Sequence, residues 1–349
     1  MQYSSWINVA KACAIVAVVI QHVKGTLYGQ PEIWYAMWWA VPLFLTVGGY
    51  NVMNSYENRG YVVLKKRMLG IGIPYVVATI LYHIRFEHHF NLYEVLLRLV
   101  HFDISGPLYY VAVYLQLVLI TPVCIAVMRW CEAKNIKRRY AAAWLIIYGW
   151  CLLATARSNI FDIVLGGGRL FAGAWLFYWF VGMFIRRYEN KVKLWLYSAS
   201  RLTILTILLI VWQVVFIGYG VNLELGQMFP GAGLVMTWAN TAETFILFFW
   251  FKDVVTFWEE RRGILAKIIA PVDYLGRHTL YIFLYHMLFL SICRVLSPPP
   301  NILSVKILYT AFVLGVMLLA PIGLEWTLRR LWTKFMQFMS GIKVDTRTL

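Results

Sequence analysis

The first apolar stretch of the chain contains a lysine and a histidine on one face of a predicted helix. Lys11 and His22 stand eleven positions apart in the segment NVAKACAIVAVVIQH. Eleven residues make close to three full turns of an α-helix, so both side chains project from one face, about 16 Å apart along the axis. A histidine can take a proton from a hydroxyl near neutral pH. The alternative is that His22 only hydrogen-bonds a neighbouring helix at the membrane interface.

Lys11 also has two interpretations, because an ammonium inside an apolar segment needs a partner. It could hold an anionic group of a substrate, or it could pair with a buried carboxylate. The carboxylates that such a pair would use are Glu243 and Glu325, each of which lies in a later apolar stretch. The two interpretations are compatible with each other.

A second polar stripe lies late in the chain. His278, Tyr281 and Tyr285 fall on one face of a predicted helix, and His286 follows directly. Such a stripe could bind a sugar or a pantetheine arm. It could equally be packing between helices, with each hydroxyl hydrogen-bonded to a neighbour.

Two arginines flank a glycine-rich connection in the middle of the chain. Arg157 precedes and Arg169 directly follows the run Gly-Gly-Gly at 166–168. Their long side chains could reach the membrane surface, as arginines near helix ends do. The alternative is that they bind an anion or a sugar.

The composition places these residues in a membrane protein. Of the 349 residues, 61% are hydrophobic and only 14% are charged, whereas a soluble domain carries about 25% charged residues. The net charge of +16 comes largely from short basic runs between apolar segments, which is typical of membrane-flanking charge. This distribution argues against a nucleic-acid partner. The main runs are Lys65-Lys66-Arg67, Lys137-Arg138-Arg139, Arg186-Arg187, Arg261-Arg262 and Arg329-Arg330.

The apolar segments predict an all-α, multi-pass transmembrane helical bundle with about ten spans. The basic runs recur at alternate connections, so the positive-inside rule places both termini in the cytoplasm. We expect a single transmembrane domain over residues 1–335, a short cytoplasmic tail over 336–349, and an interfacial helix at Asn91–Asp103. The predicted spans are Ser4–Val23, Trp34–Asn54, Met68–Arg85, Pro107–Met128, Ala141–Ala156, Leu170–Ile185, Leu202–Tyr219, Gly233–Phe251, Thr279–Val295 and Ser304–Trp326.

The five cysteines give no indication of a metal centre or a disulfide. Four of them lie inside apolar segments, and Cys131 lies in a basic connection. None has a metal-ligand spacing or an obvious oxidised partner. The sequence therefore predicts neither bound metal nor disulfides.

Five segments, in order along nearly the whole chain, resemble the membrane acyltransferase type 3 family. The first helix of that family carries an arginine, ten residues and a histidine, which correspond here to Lys11 and His22. Lysine replaces the arginine, glycine replaces a serine at position 48, and tyrosines at 109 and 110 replace a Trp-Phe pair. The other similar segments are PLFLTVGGY (42–50), the basic run 65–67 followed by Pro74-Tyr75, GPLYY (106–110) and LGRHTLYIFLYH (275–286).

The resemblance implies an enzyme that takes an acyl group, most often acetyl, from cytoplasmic acyl-CoA. The acceptor would be a hydroxyl of a cell-surface polysaccharide or a lipid-linked sugar, and the location the plasma (inner) membrane of a bacterium. His22 would be the general base, and Lys11 would orient the donor or the carboxylate that positions it. The residues expected to meet the CoA phosphates are Lys65, Lys66 and Arg67. Those expected to contact substrate are Tyr50, Tyr109, Tyr110, His278, Tyr281, Tyr285, His286, Glu243, Arg157 and Arg169.

Two other kinds of protein fit the same features. An exporter or flippase for a glycan or lipid would also need polar helix faces, prolines and charges inside the membrane. A receptor or scaffold without turnover would tolerate changes at His22. Beyond the bilayer, the expected partners are acyl-CoA and a glycan or glycolipid acceptor, and self-association into a homo-oligomer is compatible with the sequence.

Overall fold

The computed structural model describes residues 5–28, 36–133, 136–156, 170–189, 201, 203–211, 232–260, 264–296 and 300–340. Within these ranges the regular structure is helical throughout and no residue is in a strand, which confirms the all-α prediction. The helices are α1 (Ser5–Tyr28), α2 (Ala40–Arg59), α3 (Val62–Glu87), α4 (Leu92–His101), α5 (Tyr109–Ala133), α6 (Ile136–Ala156), α7 (Leu176–Arg187), α8 (Ala232–Glu260), α9 (Ile264–Arg277), α10 (Thr279–Leu296) and α11 (Leu303–Ser340).

Five of the described helical segments are long and apolar enough to cross a membrane. Helices suit this solvent because each backbone N–H and C=O group finds its partner within the same segment. The protein is therefore a helical membrane protein. The count of ten spans and the cytoplasmic location of both termini stay predictions. The five segments are Ser5–Lys24, Val62–Glu87, Gly106–Ala133, Thr279–Leu296 and Leu303–Lys334.

Some helix boundaries differ from the predicted spans. Helix α7 begins only at Leu176, after a 3₁₀ turn at Ala172–Ala174, and its 12 residues give a length of about 18 Å. Of the predicted span Leu202–Tyr219, residues 203–211 are helical and 212–219 lie outside the described part of the chain. Helix α11 continues to Ser340, because the residues after Trp326 contain no glycine or proline that would end it.

Helix α9 was not among the predicted elements. It contains Pro271 and has only 14 residues, so a search for apolar segments of about 20 residues passes over it. Asn8 of α1 donates a side-chain hydrogen bond to Asp273 of α9 at 2.8 Å. Near the end of α9 a Cβ atom on Gly276 would lie 2.0 Å from the Asn8 carbonyl oxygen. The glycine thus allows α9 to pack directly on α1.

Helices α2 and α7 cross at equally short range. A Cβ atom on Gly49 would lie 2.1 Å from the Trp179 carbonyl oxygen, and one on Gly182 would lie 1.9 Å from that of Thr46. Small residues at such a crossing let two backbones approach closely, which is a common way to join helices in membranes. The crossing fixes the position of α2, which lines the cavity described below.

Helix α4 doubles back along α3. Asn91, at its start, donates a backbone hydrogen bond to His83 at 3.4 Å. Further along, the Tyr75 hydroxyl of α3 donates to the Leu99 carbonyl at 3.0 Å, and the Tyr75 ring stacks on Phe102. A helix is present where one was predicted, although its location at the membrane interface stays a prediction. This return path brings the start of α5 deep into the bundle.

Candidate functional site

A cavity of about 230 Å³ lies between α1, α2, α3, α5 and α10. Most of its wall is apolar or aromatic, and each of the five helices contributes at least one polar group. Ligand pockets commonly combine an apolar wall with a few convergent polar groups. The lining residues are Lys11, Phe44, Val47, Gly48, Asn51, Arg67, Gly70, Ile71, Tyr110, Tyr114, Thr279, Leu280 and Phe283.

Two cations, Lys11 and Arg67, line this cavity. Arg67 donates to the Tyr114 hydroxyl at 3.2 Å, to the Asn51 carbonyl at 3.1 Å and to the Ser55 hydroxyl at 3.0 Å. All of these acceptors are neutral, and the buried Nε of Arg67 has no hydrogen-bond partner among the described residues. The guanidinium is therefore positioned but not neutralised, which suits an anionic ligand.

The predicted ion pair between Lys11 and Glu325 is wrong. Glu325 accepts a hydrogen bond from His278 at 2.6 Å and another from Arg329 at 2.9 Å. Glu243 is fully buried, but it forms no ion pair with Lys11 either. No carboxylate of the described chain lies in ion-pair contact with Lys11. Lys11 and Arg67 thus give the cavity two cations that no carboxylate of the described residues contacts directly.

Most of the polar cavity residues lie near helix ends on one side of the bundle. Lys11 lies in the second turn of α1, Asn51 in the second half of α2, Arg67 in the second turn of α3, and Thr279 at the start of α10. The predicted orientation places these ends in the cytoplasmic half of the membrane. A cytoplasmic anion would therefore meet this cavity first.

A pair of histidines lies deeper in the bundle. His22 of α1 and His286 of α10 have ring centroids 5.2 Å apart. His286 is fully buried, and its Nδ1–H donates to the carbonyls of Phe283 at 2.8 Å and Ile282 at 3.1 Å. The proton on Nδ1 leaves Nε2 as the acceptor nitrogen. Nε2 is buried and has no partner in the described part of the chain, so it is available to a hydroxyl proton.

Phe283 connects the cavity to the histidine pair. It lines the cavity, and its ring centroid lies 6.0 Å from that of His286 and 5.0 Å from that of Tyr110. Helix α10 thus presents Thr279 and Phe283 to the cavity and His286 one turn further on. The order along α10 places anion-binding groups on one side of an aromatic residue and imidazoles on the other.

Of the late polar stripe, only His286 lies next to His22, whereas the other three side chains contact neighbouring protein groups. Tyr281 stacks on Tyr285 with centroids 6.0 Å apart, and the Tyr285 hydroxyl donates to the Pro74 carbonyl at 3.3 Å. His278 is held by Glu325, and only His286 joins His22. Tyr281, Tyr285 and His278 stay predicted substrate contacts whose side chains have protein partners in this structure.

The other predicted positions are distributed as follows. Tyr110 lines the cavity, whereas Tyr109 packs near Trp175, with centroids 6.3 Å apart. Of the predicted CoA-binding residues, only Arg67 lines the cavity, because Lys65 and Lys66 project outward and are exposed. Arg157 and Arg169 lie outside the described residues.

Tyr50 belongs to a charged cluster beside the cavity. Its ring packs edge-on against Trp6 at 5.2 Å, and the Lys252 ammonium lies 5.3 Å from its centroid. Lys252 also pairs with Glu189 at 2.8 Å. Burial alone would raise the pKa of the Glu189 carboxyl, but the hydrogen bond from Lys252 and the charge of its ammonium hold this pKa below its ordinary value. The cluster joins α1, α2 and α8 to the residues that follow the end of α7.

Comparison with known families identifies the family of this chain. A family model for an acyltransferase domain matches residues 4–326, so nearly the whole chain is a membrane acyltransferase domain. The protein belongs to the membrane acyltransferase type 3 family. No curated protein and no solved structure matches the chain.

Proposed function

We propose that the protein is an O-acyltransferase of the bacterial plasma membrane. It moves an acyl group, most often acetyl, from cytoplasmic acyl-CoA to a hydroxyl of a cell-surface polysaccharide or a lipid-linked sugar. The observation that carries this proposal is the His22–His286 pair, which Phe283 separates from a cavity lined by two cations. Family membership supports acyl transfer, and the cavity chemistry favours a donor with an anionic carrier.

The cavity suits one part of the donor. Its volume of about 230 Å³ is below the 300–1,000 Å³ typical of pockets that enclose whole drug-sized ligands. It therefore receives the pantetheine arm and its nearest phosphate, while the nucleotide stays toward the cytoplasm. Lys11 and Arg67 bind the phosphate, and Phe283 lies against the acyl end. At position 11 this chain has a lysine where the family has an arginine. Arg67 supplies the guanidinium that the site would otherwise lack.

The chemical step needs one base near the thioester. The acceptor hydroxyl attacks the thioester carbonyl, and an imidazole of the pair takes its proton as the new C–O bond forms. The C–S bond then breaks, and the same imidazolium returns the proton to the CoA thiolate. His22 is the base next to the acceptor. His286, with its tautomer fixed by two carbonyls, accepts a hydrogen bond at Nε2 and orients the hydroxyl or the His22 ring.

Transfer of radiolabel tests the function. Membranes that contain the wild-type protein should move label from acetyl-CoA into a glycan or lipid fraction, and membranes with equal amounts of His22→Ala should not. His101→Ala is the matched control, because this exposed histidine ends α4 and does not line the cavity. If neither acetyl-CoA nor succinyl-CoA supports transfer while a glycan or lipid still crosses the membrane, the protein is an exporter and the proposal fails.

The two cavity cations should control donor affinity. We expect Lys11→Gln and Arg67→Gln to raise KM for acyl-CoA about 10- to 100-fold, since a hydrogen bond to a charged group contributes about 1.5–3 kcal/mol. Lys65→Gln, an exposed residue one turn from the cavity edge, should leave KM unchanged. The measurement is initial rate against acyl-CoA concentration, with thermal stability as the check on folding. An equal rise in KM for Lys65→Gln would instead place the phosphates on the surface basic run.

A further inference from the structure

Three potential metal ligands converge where α3 ends and α4 begins. The nearest ring nitrogen and carboxylate oxygen of His83, His89 and Glu94 all lie within 4.8 Å of one another. Glu94 Oε2 is 3.4 Å from His89 Nε2 and 3.7 Å from His83 Nε2. These residues belong to neither the cavity nor the histidine pair described above.

Two of the three separations are close to those in a tetrahedral zinc site, and all three lie within 4.8 Å. Zinc binds histidine nitrogen and carboxylate oxygen at about 2.0–2.2 Å, so two tetrahedral ligands stand about 3.3–3.5 Å apart. The observed 3.4 and 3.7 Å need only small side-chain shifts to reach that value. Two imidazoles and one carboxylate form a set that suits Zn²⁺ and not Ca²⁺ or Mg²⁺, which favour oxygen ligands.

The surrounding hydrogen bonds already orient two of the ligands. His89 Nδ1–H donates to the Glu87 carbonyl at 2.8 Å, which leaves Nε2 as the nitrogen that can bind a metal. Glu94 accepts from the Asn91 side chain through Oε1 at 3.1 Å, which leaves Oε2 directed at both rings. Such outer partners, a backbone carbonyl for the imidazole and a donor for the carboxylate, are typical of metal sites.

His83 is the buried member of this set of three residues. It is fully buried, yet its Nδ1 has no hydrogen-bond partner among the described residues. Its Nε2 accepts only a long bond of 3.4 Å from the Asn91 backbone. A metal ion at Nε2 would replace this long hydrogen bond, with the proton of the ring on Nδ1.

The geometry points to a Zn²⁺ site formed by His83, His89 and Glu94. Water occupies the fourth position, since His89 and Glu94 have side chains 57% and 41% exposed. The ion would tie α4 to α3 at the end that the predicted orientation places outside. Tyr82, beside His83, accepts a hydrogen bond from the Leu288 backbone of α10 at 3.0 Å. A metal ion that holds this end of α3 would therefore also support α10, the helix that carries His286. The sequence-based expectation of no metal considered only the cysteines.

Metal content of the purified full-length protein tests the site. After incubation with Zn²⁺ and removal of free ion, we expect about one zinc per chain in the wild type and in His101→Gln. His89→Gln and Glu94→Gln should lose it, and Zn²⁺ should raise the melting temperature of the wild type but not of these variants. Both changed residues are exposed, so the metal-free variants should melt like the metal-free wild type.

Cobalt gives a second measurement that does not depend on stability. Co²⁺ bound in place of Zn²⁺ should produce the visible absorption of a tetrahedral nitrogen–oxygen site in the wild type, and His89→Gln should abolish it. Zinc content that is unchanged by both His89→Gln and Glu94→Gln, or equal loss with His101→Gln, would overturn the assignment and leave an ordinary histidine–carboxylate contact. Neither readout requires acyl transfer, so the result is independent of the proposed function.

Discussion

Replacing His286 by asparagine should lower acyl transfer by about 10²–10⁴-fold, the usual contribution of a positioned acid–base group. An asparagine amide can still donate to the Phe283 and Ile282 carbonyls that now accept from Nδ1. It offers nothing at the position of Nε2. The substitution therefore keeps the hydrogen bonds of this side chain to the α10 backbone and removes only the acceptor nitrogen Nε2. Initial rates at saturating acyl-CoA measure the effect.

The matched variants decide which function His286 serves. His286→Gln places an amide nearer the Nε2 position and should recover part of the rate if orientation of the acceptor is what matters. His22→Ala should be as inactive as the double variant His22→Ala/His286→Ala, because residues that act as a unit are not additive. Full activity in a folded His286→Asn protein would remove this residue from the mechanism and leave His22 alone.

Replacing Gly49 by alanine should sharply reduce the amount of folded protein. The added Cβ would lie 2.1 Å from the backbone oxygen of Trp179, and a backbone atom cannot turn aside as a flexible side chain can. Helices α2 and α7 would have to separate. Overpacking in a close-packed interior typically costs about 1–3 kcal/mol, and a backbone clash lies at or above the upper end of that range. Melting temperature and the monodisperse fraction in gel filtration measure the loss.

Gly72→Ala is the control for this prediction and should act in the opposite direction. No atom lies within 4 Å of a Cβ at Gly72, which is in helix α3. Alanine inside a helix is favoured over glycine by about 0.5–1 kcal/mol, so the variant should melt at the same temperature or higher. If Gly49→Ala and Gly72→Ala melt alike, the close crossing of α2 and α7 does not hold the bundle together.

Sequence periodicity was enough to predict the all-helical fold and the shared face of Lys11 and His22, since both follow from local geometry. It could not bring His22 to His286, because nothing in either segment encodes which helices are neighbours. Arg67 was expected to bind CoA together with Lys65 and Lys66. Only packing shows that the first of these faces inward while the other two face outward.

The close helix crossings could not be predicted from the sequence either. Glycine at 48 is a departure from the family's serine, and the structure gives its reason, because a Cβ there would meet the Trp179 ring at 2.7 Å. Helix α9 was passed over because it is short, although Asp273 and Gly276 make it a main support of α1. His83, His89 and Glu94 carry a recognisable ligand combination, and a search that included histidine and glutamate spacing would have found them.

The position of Phe283 bears on whether protons can leak through the protein and lower the membrane potential. The proposed function would bring a donor from one face and an acceptor from the other to the two imidazoles of His22 and His286. A continuous file of water through them would discharge the potential across the bilayer, worth about 2.3 kcal/mol per charge at 100 mV. Phe283 contacts Tyr110 and His286, so its apolar ring would interrupt such a file of water between the cavity and the imidazoles. On the proposed function, such a barrier would let an acyl group pass between the two sides of the membrane while protons do not.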